Sequence, residues 1–254
     1  MNVLYFNKER EDDMIKGRVE EMDYQTQMKM KRWLRKPFAT YAFLFVQTLL
    51  FVLMTFQGGS TNGGTLIRFG AKYGPLIAMG EWWRLILPIF LHIGFMHILL
   101  NSVILYFLGI QLEEFYGSFR FMGLYLLSGI AGNAASFAFN NSLSAGSSTA
   151  LFGLFGAAVA LGKIYPNNYG VQAMAKQFTT LIVLNIVFGF FDSSLDLAGH
   201  LGGLVGGYLL SYVFARTAGR SNNKKINLYY GSLFIGFLVV LLGIGYVRNL
   251  AFIQ

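Results

Sequence analysis

What most limits the fold of this chain is where its charges are missing. Six stretches contain no Asp, Glu, Lys or Arg: 38–56, 85–112, 121–162, 177–191, 197–215 and 226–247. About 20 apolar residues carry a helix through the ~30 Å hydrocarbon core of a bilayer, and a helix suits that medium because it pairs its own backbone N–H and C=O groups. The 42-residue run 121–162 is about twice that length and is interrupted by Asn140-Asn141-Ser142, so it reads as two helices. The run 177–191 has only 15 residues, but Lys176 at its edge can snorkel toward the interface. Together the stretches specify an all-α polytopic membrane protein with seven transmembrane helices. A composition that is 55% hydrophobic and 13% charged agrees.

Lys and Arg orient the spans. With a cytoplasmic N-terminus, 16 of the 20 basic residues fall on the cytoplasmic side: nine within 1–37, then Arg120, Lys163, Lys176, Arg216, Arg220, Lys224 and Lys225. Only Arg68, Lys72, Arg84 and Arg248 fall on the other side. The positive-inside rule therefore places the N-terminus in and the C-terminus out, in the cell membrane. The net charge of +8 has the same origin, since cytoplasmic loops lie against anionic lipid, and it gives no reason to expect a nucleic-acid partner. Residues 1–37 mix nine basic with seven acidic side chains and are too few for a core of their own, so they read as a partly helical or disordered cytoplasmic segment. The late first apolar run shows no cleavable signal peptide. In the outer loop 57–88, Trp82 and Trp83 beside Arg84 suit the headgroup level, so this loop is expected to dip into the interface. Cysteine is absent, which excludes disulfides, thiolate metal sites and a cysteine nucleophile.

Polar side chains inside membrane spans are costly and mark function. The three histidines, His92, His97 and His200, all lie in or beside spans. The second, fourth and sixth spans run in the same direction, and His97, Ser148 and His200 fall in their opening turns, so three helices bring polar groups to one depth near the outer face. His97 and Asn101, four apart, share a helix face. Gly199, Gly203 and Gly207 recur at four-residue steps, as do Gly202 and Gly206, while Gly153 and Gly156 offer a matching small face; backbones can then approach closely. That brings His200 toward Ser148. A serine hydroxyl becomes a nucleophile when a neutral imidazole takes its proton, and the oxyanion that follows needs donors, a task for His97, Asn101 and the Ser148 backbone N–H. Asp196 is a turn further toward water and serves as a helix N-cap, so the chemistry expected is a Ser148–His200 dyad. Two other classes compete. A metal-dependent hydrolase built on His92, His97 and His200 is disfavoured by the five-residue spacing of the first two, ~140° around a helix. A non-catalytic binder of membrane helices would use the same cavity without Ser148 chemistry.

Four stretches together resemble the rhomboid intramembrane serine proteases: GEWWRLILPIFLHIGFMHILLN (80–101), LEEFYGSFRF (112–121), AGSSTALFGLFGA (145–157) and LDLAGHLGGLVGGY (195–208). The resemblance implies a rhomboid-like six-helix core at 38–215, followed by a loop and a seventh helix within 216–254. It implies Ser148 as nucleophile, His200 as general base, and His97 with Asn101 around the oxyanion. It also implies that Trp82 and Arg84 belong to a membrane-embedded outer loop, that Phe152 packs on the imidazole, and that a lateral gate lies beside the fifth span. The substrates implied are single-span membrane proteins cut within the bilayer, with no metal or cofactor. Two positions depart from the family pattern: Thr149 replaces the usual glycine after the serine, and Gly199 the common alanine before the histidine. Thr149 is expected to narrow the site or restrict the residue accepted before the scissile bond, whereas Gly199 is expected to be harmless.

Overall fold

A computed structural model describes Thr26 and residues 36–191, 195–215 and 224–250. Most of the N-terminal segment, Asp192, and the stretch with Arg216 and Arg220 lie outside the described residues. The chain separates into two units, Met1–Lys36 and Pro37–Gln254, and the second holds every element named below.

That unit is all-α among the described residues. In order it contains α1 (Phe38–Phe56), the short α2 (Gly63–Phe69) and α3 (Gly74–Ala78), two 3₁₀ turns (Trp82–Leu85 and Leu87–Phe90), then α4 (Phe95–Tyr116), α5 (Ser118–Phe139), α6 (Ser148–Ile164), α7 (Tyr169–Phe191), α8 (Leu197–Phe214) and α9 (Lys224–Asn249). Six of these helices, α1, α4, α5, α7, α8 and α9, are long and apolar enough to cross a membrane. The seventh, α6, has 17 residues and rises ~26 Å, less than a full crossing.

Two boundaries differ from those read in the sequence. The second apolar run begins at Leu85, yet its helix begins at Phe95. Pro88 has no N–H to give, and Gly94 takes a left-handed φ of 80°, so 85–94 folds as 3₁₀ turns and a bend. The fifth span instead starts earlier, at Tyr169. Its 23 residues remove the shortfall, and Lys176 sits in its second turn.

The core centres on α6, where 13 of the 17 side chains are buried, as expected of a helix apolar on every face. Around it, large apolar side chains point outward, among them Phe45 of α1, Phe107 of α4, Phe188 and Phe190 of α7 and Val239 of α9. A belt of this kind matches lipid, not water. Glycines set the closest approach in the bundle. A Cβ on Gly203 would overlap the Thr149 carbonyl, one on Gly207 the Gly153 carbonyl, and one on Gly156 the Leu204 carbonyl, so α6 and α8 lie backbone to backbone. The outermost helix, α9, is tied to α5 by Arg248, which donates to the Ala138 carbonyl at 2.6 Å.

A buried carboxylate fixes the entry to the first span. Glu113, near the end of α4, accepts the backbone N–H groups of Ala39 (2.8 Å) and Thr40 (2.7 Å), the Thr40 hydroxyl (2.7 Å) and the Ser118 hydroxyl (2.5 Å). It satisfies the orphan donors at the start of α1 and joins α1, α4 and α5. Glu113→Ala should lower stability by about 3 kcal/mol, read from unfolding in detergent micelles.

Candidate functional site

His97 is the third residue of α4, Ser148 the first of α6 and His200 the fourth of α8. Each helix start has a local cause. Before α6 the chain runs extended, with the Gly146 N–H donating to the Pro88 carbonyl at 2.9 Å. Gly146 has a φ of 153°, and a Cβ there would come within 2.7 Å of His97 Cε1 and 2.8 Å of its Nε2, so only glycine lets this loop close on the imidazole. Before α8, Asp196 takes the N-cap position expected of it, its carboxylate accepting the Gly199 N–H at 3.0 Å.

The two central side chains meet. His200 Nε2 lies 2.9 Å from Ser148 Oγ, within hydrogen-bonding reach. The imidazole is buried and stacks on Phe152, ring centroids 4.2 Å apart and planes 8° from parallel. Ser148 remains partly exposed, although Gly146, Ser147, Thr149 and Ala150 around it are all buried. A buried imidazole therefore contacts the hydroxyl of a residue that keeps some exposed surface.

His97 and Asn101 occupy successive turns of α4 on one face. The Ile93 N–H donates to His97 Nδ1 at 3.4 Å, which leaves the ring proton on Nε2, the atom beside Gly146. Asn101 is buried, and its amide nitrogen has no acceptor among the described residues. Both are donors available for an oxygen that arrives with a ligand. His92 has a different setting: it is fully buried, with Nε2 3.1 Å from the Ser147 hydroxyl and its ring edge against His97.

The Thr149 side chain packs toward α5 and α8. A Cβ on Gly132 would come within 2.6 Å of Thr149 Cβ, and one on Gly199 within 3.1 Å of its Cγ2. The two departures from the family pattern thus fit each other, because the bare backbone at 199 leaves room for the methyl group at 149. The loop before α4 adds partners that the sequence did not show. Trp82 and Trp83 are about half exposed, as interface anchors are, but Arg84 is buried. A buried guanidinium needs partners, and this one donates to the carbonyls of Ile67 (2.8 Å) and Ala71 (3.0 Å) and pairs with Glu81 (2.5 Å), binding the loop together. Gly146 and Lys72 were given no part in the site from the sequence; the sign that marks Gly146 is its place two residues before Ser148.

Residues 79–217 match the Rhomboid domain. The chain is 40% identical over 205 residues to the rhomboid protease GluP of Bacillus subtilis, covering 80% of this chain and 40% of that protein. It is 38% identical over 143 residues to the putative rhomboid protease YdcA of the same organism, covering 56% and 71%, and 36% identical over 167 residues to rhomboid-like protease 1 of Toxoplasma gondii, covering 64% and 54%. The chain therefore spans less than half the length of GluP. With its domain match, its apolar helices and a paired serine and histidine at the head of two of them, the chain is an integral, multi-pass membrane protein that belongs to the rhomboid family.

Proposed function

We propose that this protein is an intramembrane serine endopeptidase that cuts single-span membrane proteins near the extracytoplasmic end of their transmembrane segments. The observation that carries the reading is the 2.9 Å contact between His200 Nε2 and the partly exposed Ser148 hydroxyl. His200 takes the Ser148 proton as Oγ attacks the scissile carbonyl carbon, and the carbonyl oxygen becomes the oxyanion. The His97 Nε2–H, the Asn101 amide and the Ser148 backbone N–H donate to it; each such donor lowers the barrier by on the order of 3 kcal/mol. When the C–N bond breaks, His200 passes its proton to the leaving amine. Water, deprotonated by the same imidazole, then hydrolyses the acyl-serine and frees both Ser148 and the new carboxyl terminus.

The membrane setting adds two requirements. A helical peptide bond hides its carbonyl in an internal hydrogen bond, so the substrate must unwind locally, which favours spans with Gly, Pro or polar residues near the outer end. The substrate must also enter from the side. In α7 every buried residue, Val171, Ala175, Phe178 and Ile182, lies in the first 14 positions, while Val183, Val187, Phe188 and Phe191 are exposed. The second half of that helix has little to hold it, which makes it the natural gate. The orientation follows the basic residues, N-terminus in. The metal-hydrolase alternative is weakened because His92 engages Ser147 and His200 engages Ser148, so the three imidazoles do not converge.

Reconstitution in liposomes with a panel of model single-span substrates tests the reading. Cleavage should be insensitive to chelators, absent in Ser148→Ala, and mapped to the outer third of the substrate span. Chelator-sensitive cleavage, or cuts in a substrate's soluble domain only, would contradict it.

A further inference from the structure

Lys72 is a full positive charge with no exposed surface, and nothing in the chemistry proposed for Ser148 uses it. From the outer loop its Nζ donates to the carbonyls of Asn140 (2.8 Å) and Ser142 (2.7 Å), beyond the end of α5. Its backbone pairs with Ser144 in both directions: the Lys72 N–H donates to the Ser144 carbonyl at 2.9 Å, and the Ser144 N–H to the Lys72 carbonyl at 3.1 Å. Ser144 is one turn of chain before Ser148. Asp196, one helical turn before His200, is held by the same knot. Its carboxylate accepts from the Ser136 hydroxyl, the Asn140 side chain and the Gly199 N–H, and Lys72 acts on it through space. One buried cation thus grips the segment leading to Ser148, and one half-buried anion caps the helix carrying His200.

Building on the protease reading, we propose that the buried Lys72 and the half-buried Asp196 act together to position both halves of the Ser148–His200 dyad, so that loss of the Lys72 proton sets an alkaline limit on catalysis. Burial pulls the Lys72 ammonium down to about 8, against the opposing influence of Asp196. Burial also works to raise the Asp196 carboxyl, but the Ser136 hydroxyl, Lys72, the Gly199 amide and Asn140 outweigh it and hold the group below its ordinary value. Near neutral pH both groups are charged. Above about 8 Lys72 becomes neutral, and Asp196 is left as a half-buried carboxylate without its cation.

The other charged groups around the knot stay constant in that range. Arg84 donates to the Ala71 carbonyl and pairs with Glu81, and Arg248 donates to Ala138 and Asn141. Neither guanidinium loses its proton below about pH 12. His97 and His200 are imidazoles, which ordinarily titrate below that range, and Asp196 also acts through space on His200.

The test is the pH profile of kcat and KM for the full chain in liposomes, from about pH 6.5 to 10, for the parent, Lys72→Met, Asp196→Asn and the double variant. The parent should lose about 10-fold in kcat across the alkaline range with KM unchanged. Lys72→Met should already be reduced about 10-fold at neutral pH and show no further alkaline fall, and the double variant should be no worse, because the pair fails as a unit. Asn at 196 still caps α8, yet it withdraws the charge that keeps Lys72 protonated, so the alkaline fall should move to lower pH. A merely structural role would lower the melting temperature without moving that midpoint. An unchanged midpoint in Asp196→Asn, an alkaline fall that persists in Lys72→Met, or a flat parent profile would each overturn the proposal; if Lys72→Met does not fold, the Asp196→Asn midpoint decides. Cleavage that survives Ser148→Ala would defeat the protease reading itself, whatever the Lys72 variants do.

Discussion

Ser148→Ala and His200→Ala should each lower the cleavage rate in liposomes by about 10⁴-fold or more, and the double variant should be no slower than either. The effects do not add because the two side chains make one nucleophile: Oγ without a base 2.9 Å away is an ordinary hydroxyl, and the imidazole without Oγ has no proton to take. His97→Ala and Asn101→Ala should cost less, roughly 10²-fold each in kcat, since each removes one of several oxyanion donors. The melting temperature of Ser148→Ala should stay close to the parent, because Ser148 is partly exposed at a helix start, whereas His200→Ala should lower it by a few degrees, because it removes a buried ring stacked on Phe152. Equal losses in the two singles, together with retained folding, are the pattern that a dyad produces.

The second large effect lies away from the chemistry. Gly203→Ala and Gly207→Ala should each reduce cleavage about 100-fold, because the added Cβ meets a backbone carbonyl of α6 and no side chain can move aside. The helices must part by about 1 Å, and a displacement of that size is enough to break the alignment of Oγ with Nε2. Gly236→Ala in α9 is the control, since a Cβ there meets nothing within 4 Å. Parallel kcat measurements on the three variants check this. Near-normal rates for Gly203→Ala would show that the α6–α8 approach does not govern the dyad.

Charge-free runs made the spans legible because hydrocarbon excludes charge, and that constraint acts on composition alone. Their ends were less legible. The start of α4 at Phe95 depends on Gly94 and Pro88, which sit within an unbroken apolar run, and the early start of α7 was hidden because Lys176, inside the helix, ends the charge-free run. The meeting of Ser148 and His200 could be anticipated from glycine spacing, since small residues at four-residue steps permit only one kind of close helix pair. The partners of Arg84 were not legible, because the carbonyls that enclose its guanidinium lie 13 and 17 residues upstream. Lys72 and Asp196 were hidden in the same way, because their shared knot joins segments 124 positions apart in the chain, and no local pattern encodes such a meeting.

The most direct test of the Ser148–His200 pairing is covalent. The purified protein, treated with a fluorophosphonate and digested, should carry a single phosphonyl adduct, on Ser148 and not on Ser147, and labelling should fall to background in His200→Ala. Labelling of Ser148 at an undiminished rate without His200, or an adduct on another hydroxyl of the 142–149 stretch, would contradict the pairing on which the mechanism rests.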